Sequence, residues 1–498
     1  MSAGQGDGLA VVVLGASGDL ALRKVMPALF ALDARGLLPA GTHFFGFARS
    51  FMTDDEFRGR LAPRLRCDDL APDVCALGED GFLRRCHYQP GDYGDARSFA
   101  ALDRRLETLP VPVGKRIYYF AVPPQLFETA AGALREAGSL ESNGADAWTR
   151  VVIEKPFGHD RESSDRLTAR LRRVFEEKQL YRIDHYLGKE VIQNLMVLRF
   201  ANRVFEPVWN RDHVRHVHIA WAEDVSLRGR AGYFDRYGIV RDVMQNHLTQ
   251  ILALTAMECP ETLHADHVRD EKVRLLRQVA PLTRERVVLG QYVAGRYRDR
   301  DVPGYRQEPG VPSGSTTATY AAAVFDLDAP RWRGVPFMIS AGKGLCRHHT
   351  EVRVQFKPPA QDLFRSRSSP ALSVAPLPPD NELVIRVQPD EKIALRIVGK
   401  VPGPGMRLDT PLLDLRYRDT FHGLRIGDAY ESLLLDVVRG ERSLFLRDDE
   451  LEASWDIFTP LLHEIDKAGA APFLYPFGSG GPRERVALAA RFGIEDPD

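Results

Sequence analysis

Cysteine is scarce in this chain: five in 498 residues, Cys67, Cys75, Cys86, Cys259 and Cys346, an odd number with no C-x-x-C pair. That pattern predicts neither a disulfide framework nor a zinc ribbon nor any other metal site, and it fits a reducing compartment. No run of about 20 apolar residues occurs, so no membrane-spanning helix is expected. The N-terminus, MSAGQGDGLAVVVLGASGD, has no basic stretch ahead of its short apolar run. It does not read as a secretory signal, and the expected location is cytoplasmic. Charge of one sign is not in excess either: 67 Lys and Arg stand against 68 Asp and Glu, a net of −1. Nothing global calls for a nucleic acid or an anionic membrane as partner, although a local basic pocket remains open. Internal repeats are absent.

What is present is the balance of a globular protein, 44% hydrophobic and 27% charged residues. Residues 9–14 (LAVVVL) form a short valine-rich run suited to a strand buried on both faces of a parallel sheet. After GASGDLALRK, apolar residues at 22, 25, 26, 29 and 30 recur at helical spacing, with Gly36 as a stop. Further strands are predicted at 43–48, 116–122 and 150–154, with a helix at 127–137. Strands alternating with helices predict a doubly wound α/β domain. Beyond about residue 200 the texture changes. Strand-like segments at 214–221, 317–326, 335–340, 351–356 and 383–388 have no helix between each, which predicts a mainly antiparallel sheet. Helices are predicted at 239–257, 428–439 and 449–467, and the Pro- and Ser-rich stretch 358–380 reads as a loop or insert. The expected division is a Rossmann-like α/β domain over 1–190 and a larger β+α domain over 191–498.

Gly15-Ala16-Ser17-Gly18-Asp19-Leu20 lies between the first strand and the first helix. Gly15 permits a tight turn, Gly18 lets the backbone approach a ligand, and the helix N-terminus offers N–H groups to a pyrophosphate. The second strand ends in Ala48-Arg49-Ser50, with no acid to hold a ribose 2′-hydroxyl, which favours NADP over NAD. Lys155 follows a strand end, where open α/β sheets bind ligands. The sequence leaves open whether Pro156 is cis.

In YRIDHYLGKE (181–190), His185, Tyr186 and Lys189 suit a phosphate dianion; in a helix, His185 and Lys189, four apart, would share one face. Asp184 is a candidate to orient a base elsewhere. Asp242 and His247 lie on a helix that is otherwise apolar at Val243, Met244, Leu248 and Ile251. A histidine so placed is more commonly a core residue, yet its ordinary titration near neutrality also suits a general base. His213, His216 and His218 lack companion ligands and read as a solvated strand face rather than a metal site.

GASGDLALRK (15–24), ARS (48–50), EKPFG (154–158), RIDHYLGKE (182–190), RGRAGYFDRYGIVRDVMQNH (228–247), GSTTAT (314–319), RVQPDE (386–391) and IFTPLLHEI (457–465) occur in that order. Together they resemble the glucose-6-phosphate dehydrogenase family over nearly the whole chain. The resemblance implies oxidation of a sugar phosphate at C1 to a lactone with hydride passed to NADP, the first step of the oxidative pentose phosphate pathway. It implies His247 as the general base, oriented by Asp184. It implies His185, Tyr186 and Lys189 on the substrate phosphate, Glu223 and Asp242 on sugar hydroxyls, and Lys155 and Lys343 on the substrate. The coenzyme would meet Gly15, Ala16, Ser17, Gly18, Asp19, Leu20, Lys24, Arg49, Asp92, Tyr93 and Lys155. The chain departs from the family at His348, where many members carry a second permanent cation; a histidine is only partly charged near pH 7. A homodimer or homotetramer is also implied.

Overall fold

The valine-rich run forms β1 (Gly8–Leu14), every residue of it buried. It sits in a sheet with β2 (His43–Ala48), β3 (Cys86–Pro90), β4 (Val113–Phe120), β5 (Trp148–Ile153) and β6 (Leu180–Ile183). The order is β6-β5-β4-β1-β2-β3, all parallel, with a two-residue strand Phe445–Leu446 antiparallel on the β6 edge. Reversal of order on either side of β1 creates the crevice at strand carboxyl ends where such sheets bind ligands. This is the predicted Rossmann-like architecture. The computed structural model describes residues 8–66, 72–140, 147–227, 229, 231–361, 380–404, 407–469 and 471–495. Most of the stretch 358–380 therefore lies outside the described residues.

The chain divides into two compact units. The first is Met1–Lys189 together with Glu261–Arg269 and Gly427–Glu452, so it takes in two later segments as well as the N-terminal region. The second comprises Glu190–Pro260, Asp270–Ile426 and Ala453–Asp498.

The second unit is built on a nine-stranded sheet. Its labelled strands are β7 (Val214–Ala222), β8 (Val287–Val293), β11 (Tyr320–Phe325), β12 (Phe337–Gly342), β13 (His349–Phe356), β14 (Glu382–Gln388) and β15 (Lys392–Arg396). The order is Leu412–Arg416, β15, β14, β13, β7, β12, β11, β8, Phe473–Pro476. Pairing is antiparallel except at β12–β7 and at Phe473–Pro476 on β8. A separate hairpin joins β9 (Gly295–Tyr297) and β10 (Arg300–Val302). The helix expected over 239–257 is a π-helical stretch, Val240–Leu248, continuing into Thr249–Ala256. It is set off from Ala231–Ile239 by Gly238 at φ 63°, ψ 174°.

Cys75 is disulfide-bonded, whereas the cysteine pattern argued only against a disulfide framework. Cys86, Cys259 and Cys346 are free thiols. His216 and His218 share a strand face as expected, but that face is buried rather than solvated. His218 Nε2 lies 2.9 Å from Ser340 Oγ on β12, and burial pushes His216 down to about 4 from its ordinary 6.5. The period of two locates residues on a face; which side of a wide sheet is covered depends on distant chain.

The His216 shift has a defined sign. Between pH 6.5 and about 4 the unfolded chain binds the proton that the folded chain refuses, so stability falls as pH drops through that window. Melting of wild type and His216→Phe at pH 7.5 and 5.0 is expected to show the smaller acid loss in the variant. Equal losses contradict the assignment.

Candidate active site

In the first unit, β1 runs into Gly15 at φ 83°, and the Gly15 N–H donates to Phe47 O at 2.8 Å. A Cβ at Gly15 would stand 2.3 Å from Ala121 O, so no other residue fits there. The Gly18 N–H returns to Gly15 O at 2.9 Å, and a π-turn, Ala21–Val25, leads into helix Met26–Ala34, with Pro27 at its start. The loop Gly15, Ala16, Ser17, Gly18, Asp19, Leu20 thus forms a bend between strand and helix, a shape that fits a dinucleotide pyrophosphate. Past β2, Arg49 lies exposed with its guanidinium 5.8 Å from the Tyr93 ring centroid. Tyr93 is itself buried beside Phe47. Arg49 and Tyr93 are therefore brought together at the strand end where a 2′-phosphate would need a cation. Asp92 plays a different part: its carboxylate accepts from the Gly94 N–H at 2.7 Å and shapes a turn. Lys24 forms an ion pair with Asp428 at 2.8 Å, the N-cap of helix Ala429–Arg439.

That helix also organises the strand ends nearby. Glu154, buried after β5, accepts the Tyr119 hydroxyl at 2.5 Å and the Tyr430 hydroxyl at 3.1 Å. Burial raises its pKa. Lys155 follows across a cis bond to Pro156. Tyr430 was not singled out from sequence; it comes from a chain segment with no spacing relation to EKPFG.

Asp184 to Lys189 is not helical, so His185 and Lys189 share no helix face; the helix begins at Glu190. Asp184 Oδ1 accepts the Tyr186 N–H at 2.9 Å, and this local bond competes with the helix. Leu187 and Lys189 N–H groups close tight turns onto Asp184 and Tyr186 carbonyls. The three phosphate candidates still converge. The His185 ring meets Tyr186 edge-on at 5.0 Å and lies parallel to Tyr430 at 6.2 Å, while Lys189 Nζ is 5.1 Å from the Tyr186 ring. Gly188 is required by contact: a Cβ there would lie 2.4 Å from Ala429 O and 2.9 Å from Leu433 Cγ.

In the second unit, Glu223 and Asp224 follow β7. Glu223 accepts Lys343 Nζ at 2.6 Å, and the ammonium also lies 5.0 Å from the Trp221 ring and 5.6 Å from Phe234. His348 Nδ1 is 3.8 Å from Asp224 Oδ1. Tyr233 donates to Asp242 at 3.4 Å on the π-helical stretch. His247, on the same stretch, is buried, and its N–H donates to Asn246 Oδ1 at 2.6 Å. Ser454 fixes this helix by bonding Gln245 O at 2.8 Å, and the Thr249 hydroxyl reaches Met244 O at 2.7 Å. π-Helical turns of this kind recur at functional sites. Asp184 belongs to the first unit and His247 to the second.

Gly188→Ala is expected to destabilise the protein by about 1–3 kcal/mol, the usual cost of overpacking. A denaturant midpoint equal to wild type would contradict the close approach to Ala429.

Two family profiles cover the chain: "Glucose-6-phosphate dehydrogenase, NAD binding domain" over residues 12–194, and "Glucose-6-phosphate dehydrogenase, C-terminal domain" over 196–495. Glucose-6-phosphate 1-dehydrogenase 1, chloroplastic, of Arabidopsis thaliana is 47% identical over 98% of this chain and 83% of its own length. The Dictyostelium discoideum glucose-6-phosphate 1-dehydrogenase is 46% identical over 98% of this chain and 94% of its own. A solved glucose-6-phosphate dehydrogenase in complex with its substrate glucose-6-phosphate superposes with a TM-score of 0.90 at 36% identity, covering both chains fully. The Mycobacterium avium enzyme gives 0.80 at 33%, covering 98% of each. The expected cytoplasmic location is overturned. Five plant relatives at 46–47% identity are chloroplastic, whereas the cytoplasmic Arabidopsis thaliana proteins stand at 42%. Cysteine usage bears on redox environment, not on which compartment supplies it. With both profiles matched end to end, this chain belongs to the glucose-6-phosphate dehydrogenase family.

Proposed function

We propose that the chain oxidises glucose 6-phosphate at C1 to 6-phosphoglucono-1,5-lactone, with NADP as hydride acceptor. The observation that carries this reading is the convergence of His185, Tyr186 and Lys189 in one tight turn after β6, a donor set matched to a phosphate dianion. Family membership supports the dehydrogenase chemistry around it. When bound, NADP supplies the electron acceptor; the chain's own groups do the rest. Gly15, Ala16, Ser17, Gly18, Asp19 and Leu20 would cradle its pyrophosphate and Arg49 on Tyr93 would hold its 2′-phosphate, with Lys24, Asp92 and Lys155 on the coenzyme side.

His247 takes the C1 hydroxyl proton, a role suited to imidazole near neutral pH. Asp184 sets its tautomer and stabilises the imidazolium that forms, as the acid does in a catalytic triad. Glu223 and Asp242 hold sugar hydroxyls; Lys155, Lys343 and His348 contact the substrate. Binding the remote phosphate contributes orientation and energy to the reacting carbon. A homodimer or homotetramer belongs to the same reading, supported by the edge strand Leu412–Arg416, whose Leu412 and Leu413 are 43% and 56% exposed.

Absorbance of reduced coenzyme tests the proposal with glucose 6-phosphate, free glucose and other hexose phosphates, each with NADP and NAD. Turnover highest with glucose 6-phosphate and NADP is expected; no turnover with any sugar rejects it. His247→Ala should lower kcat by about two to four orders of magnitude, the scale of general acid–base catalysis. A near-normal rate would remove the base from His247. Arg49→Ala should raise KM for NADP more than for NAD, and parallel changes would remove Arg49 from the 2′-phosphate.

A further inference from the structure

Asp242 and His247 stand five residues apart, a spacing that an ordinary helix serves badly. At 3.6 residues per turn, side chains five apart point about 140° away from each other. A base and a ligand for sugar hydroxyls so placed would face different ways. The stretch Val240–Leu248 is instead π-helical, and the Thr249 N–H bonds Met244 O, five residues back. Such an i→i+5 ladder brings residues five apart onto nearly one face, Asp242 and His247 among them. The winding returns to α over Thr249–Ala256, so the departure is confined to the segment that bears the two groups.

π-Helical winding is rare, and side chains support it here. The Asn246 amide is bonded at both ends: its Oδ1 accepts the His247 N–H at 2.6 Å, and its Nδ2 donates to Arg241 O at 3.1 Å. A backbone N–H can only donate and a carbonyl only accept, so these partners fix which way round the amide lies. The Thr249 hydroxyl donates to Met244 O at 2.7 Å. Both of these bonds to carbonyls reach back five residues, the spacing of the π ladder itself. From outside the stretch, the Ser454 hydroxyl donates to Gln245 O at 2.8 Å and accepts the Gln245 amide at 3.2 Å. Gln245, His247, Thr249 and Ser454 are all buried, where such bonds are stronger than in water. The carbonyls of Arg241, Met244 and Gln245 thus each take a side-chain donor that an α-helix would not ask for.

We infer that Asn246 and Ser454 are positioning residues for the base: they hold the π winding that turns His247 onto the same face as Asp242. Neither touches the sugar; they act through the two residues that do. The inference rests on the reading of His247 and Asp242 given above.

Steady-state kinetics of Asn246→Ala and Ser454→Ala, each made in wild type and in His247→Ala, test it, with melting curves to confirm folding. Alanine suits the interior of the helix that carries Ser454, so the second variant keeps its fold. Each substitution in wild type should lower kcat about 10- to 100-fold, the cost of a misplaced catalytic group, and leave KM for NADP within about twofold. In the His247→Ala background the same substitutions should lower kcat by less than about threefold, because residues that act through one group are not additive. A wild-type kcat in folded Ser454→Ala, or an equal loss of kcat with and without His247, overturns the inference. A near-normal kcat in His247→Ala alone overturns instead the reading on which it rests.

Discussion

The buried Glu154 carboxylate is the interaction on which the turn from Asp184 to Lys189 depends. A carboxylate out of water is costly unless donors surround it, and here the donors are the Tyr119 and Tyr430 hydroxyls. Tyr119 lies on β4 of the parallel sheet, and Tyr430 on a helix far along the chain. Their shared acceptor fastens that helix to the strand ends. The turn Asp184 to Lys189 has neither ladder nor helix of its own, so it takes its position from this packing. Gly188 lies against Ala429, and the His185 ring lies parallel to Tyr430. The inclusion of Gly427–Glu452 in the first unit thus holds this turn in place.

A second constraint is charge. A chain with a net charge of −1 has to receive two anionic molecules. Its cations are held locally by acids: Lys24 by Asp428, Lys343 by Glu223, Arg298 by Asp224. Each pair fixes a cation's position while leaving the molecule neutral overall, so composition carries no trace of the ligands. Arg49 is seated against the Tyr93 ring instead of an acid.

Much of the fold was legible from sequence because burial on both faces writes itself as continuous apolar runs, as in β1, and because the glycines of the phosphate loop have steric reasons to be there. β3 and β6 escaped notice: they are short and carry polar residues such as Gln89 and Arg182. The residue types of HYLGK were legible, but their geometry was not, since the Asp184 carboxylate accepts the Tyr186 N–H and turns the chain ahead of the helix at Glu190. Positions set by remote contacts left no signal at all, Tyr430 and the Tyr297-Arg298 hairpin being the examples. The helix bearing Asp242 and His247 was predicted, whereas its π-helical winding is a feature that periodicity cannot register.

The central claim is that hydride leaves C1 of the sugar phosphate for the nicotinamide while His247 removes only the hydroxyl proton. Turnover of glucose 6-phosphate deuterated at C1, followed by mass spectrometry of the reduced coenzyme and of the water, tests this directly. One deuterium per reduced coenzyme, with none in the water, is the expected result. Deuterium released to the water, or coenzyme reduced without label, would contradict it.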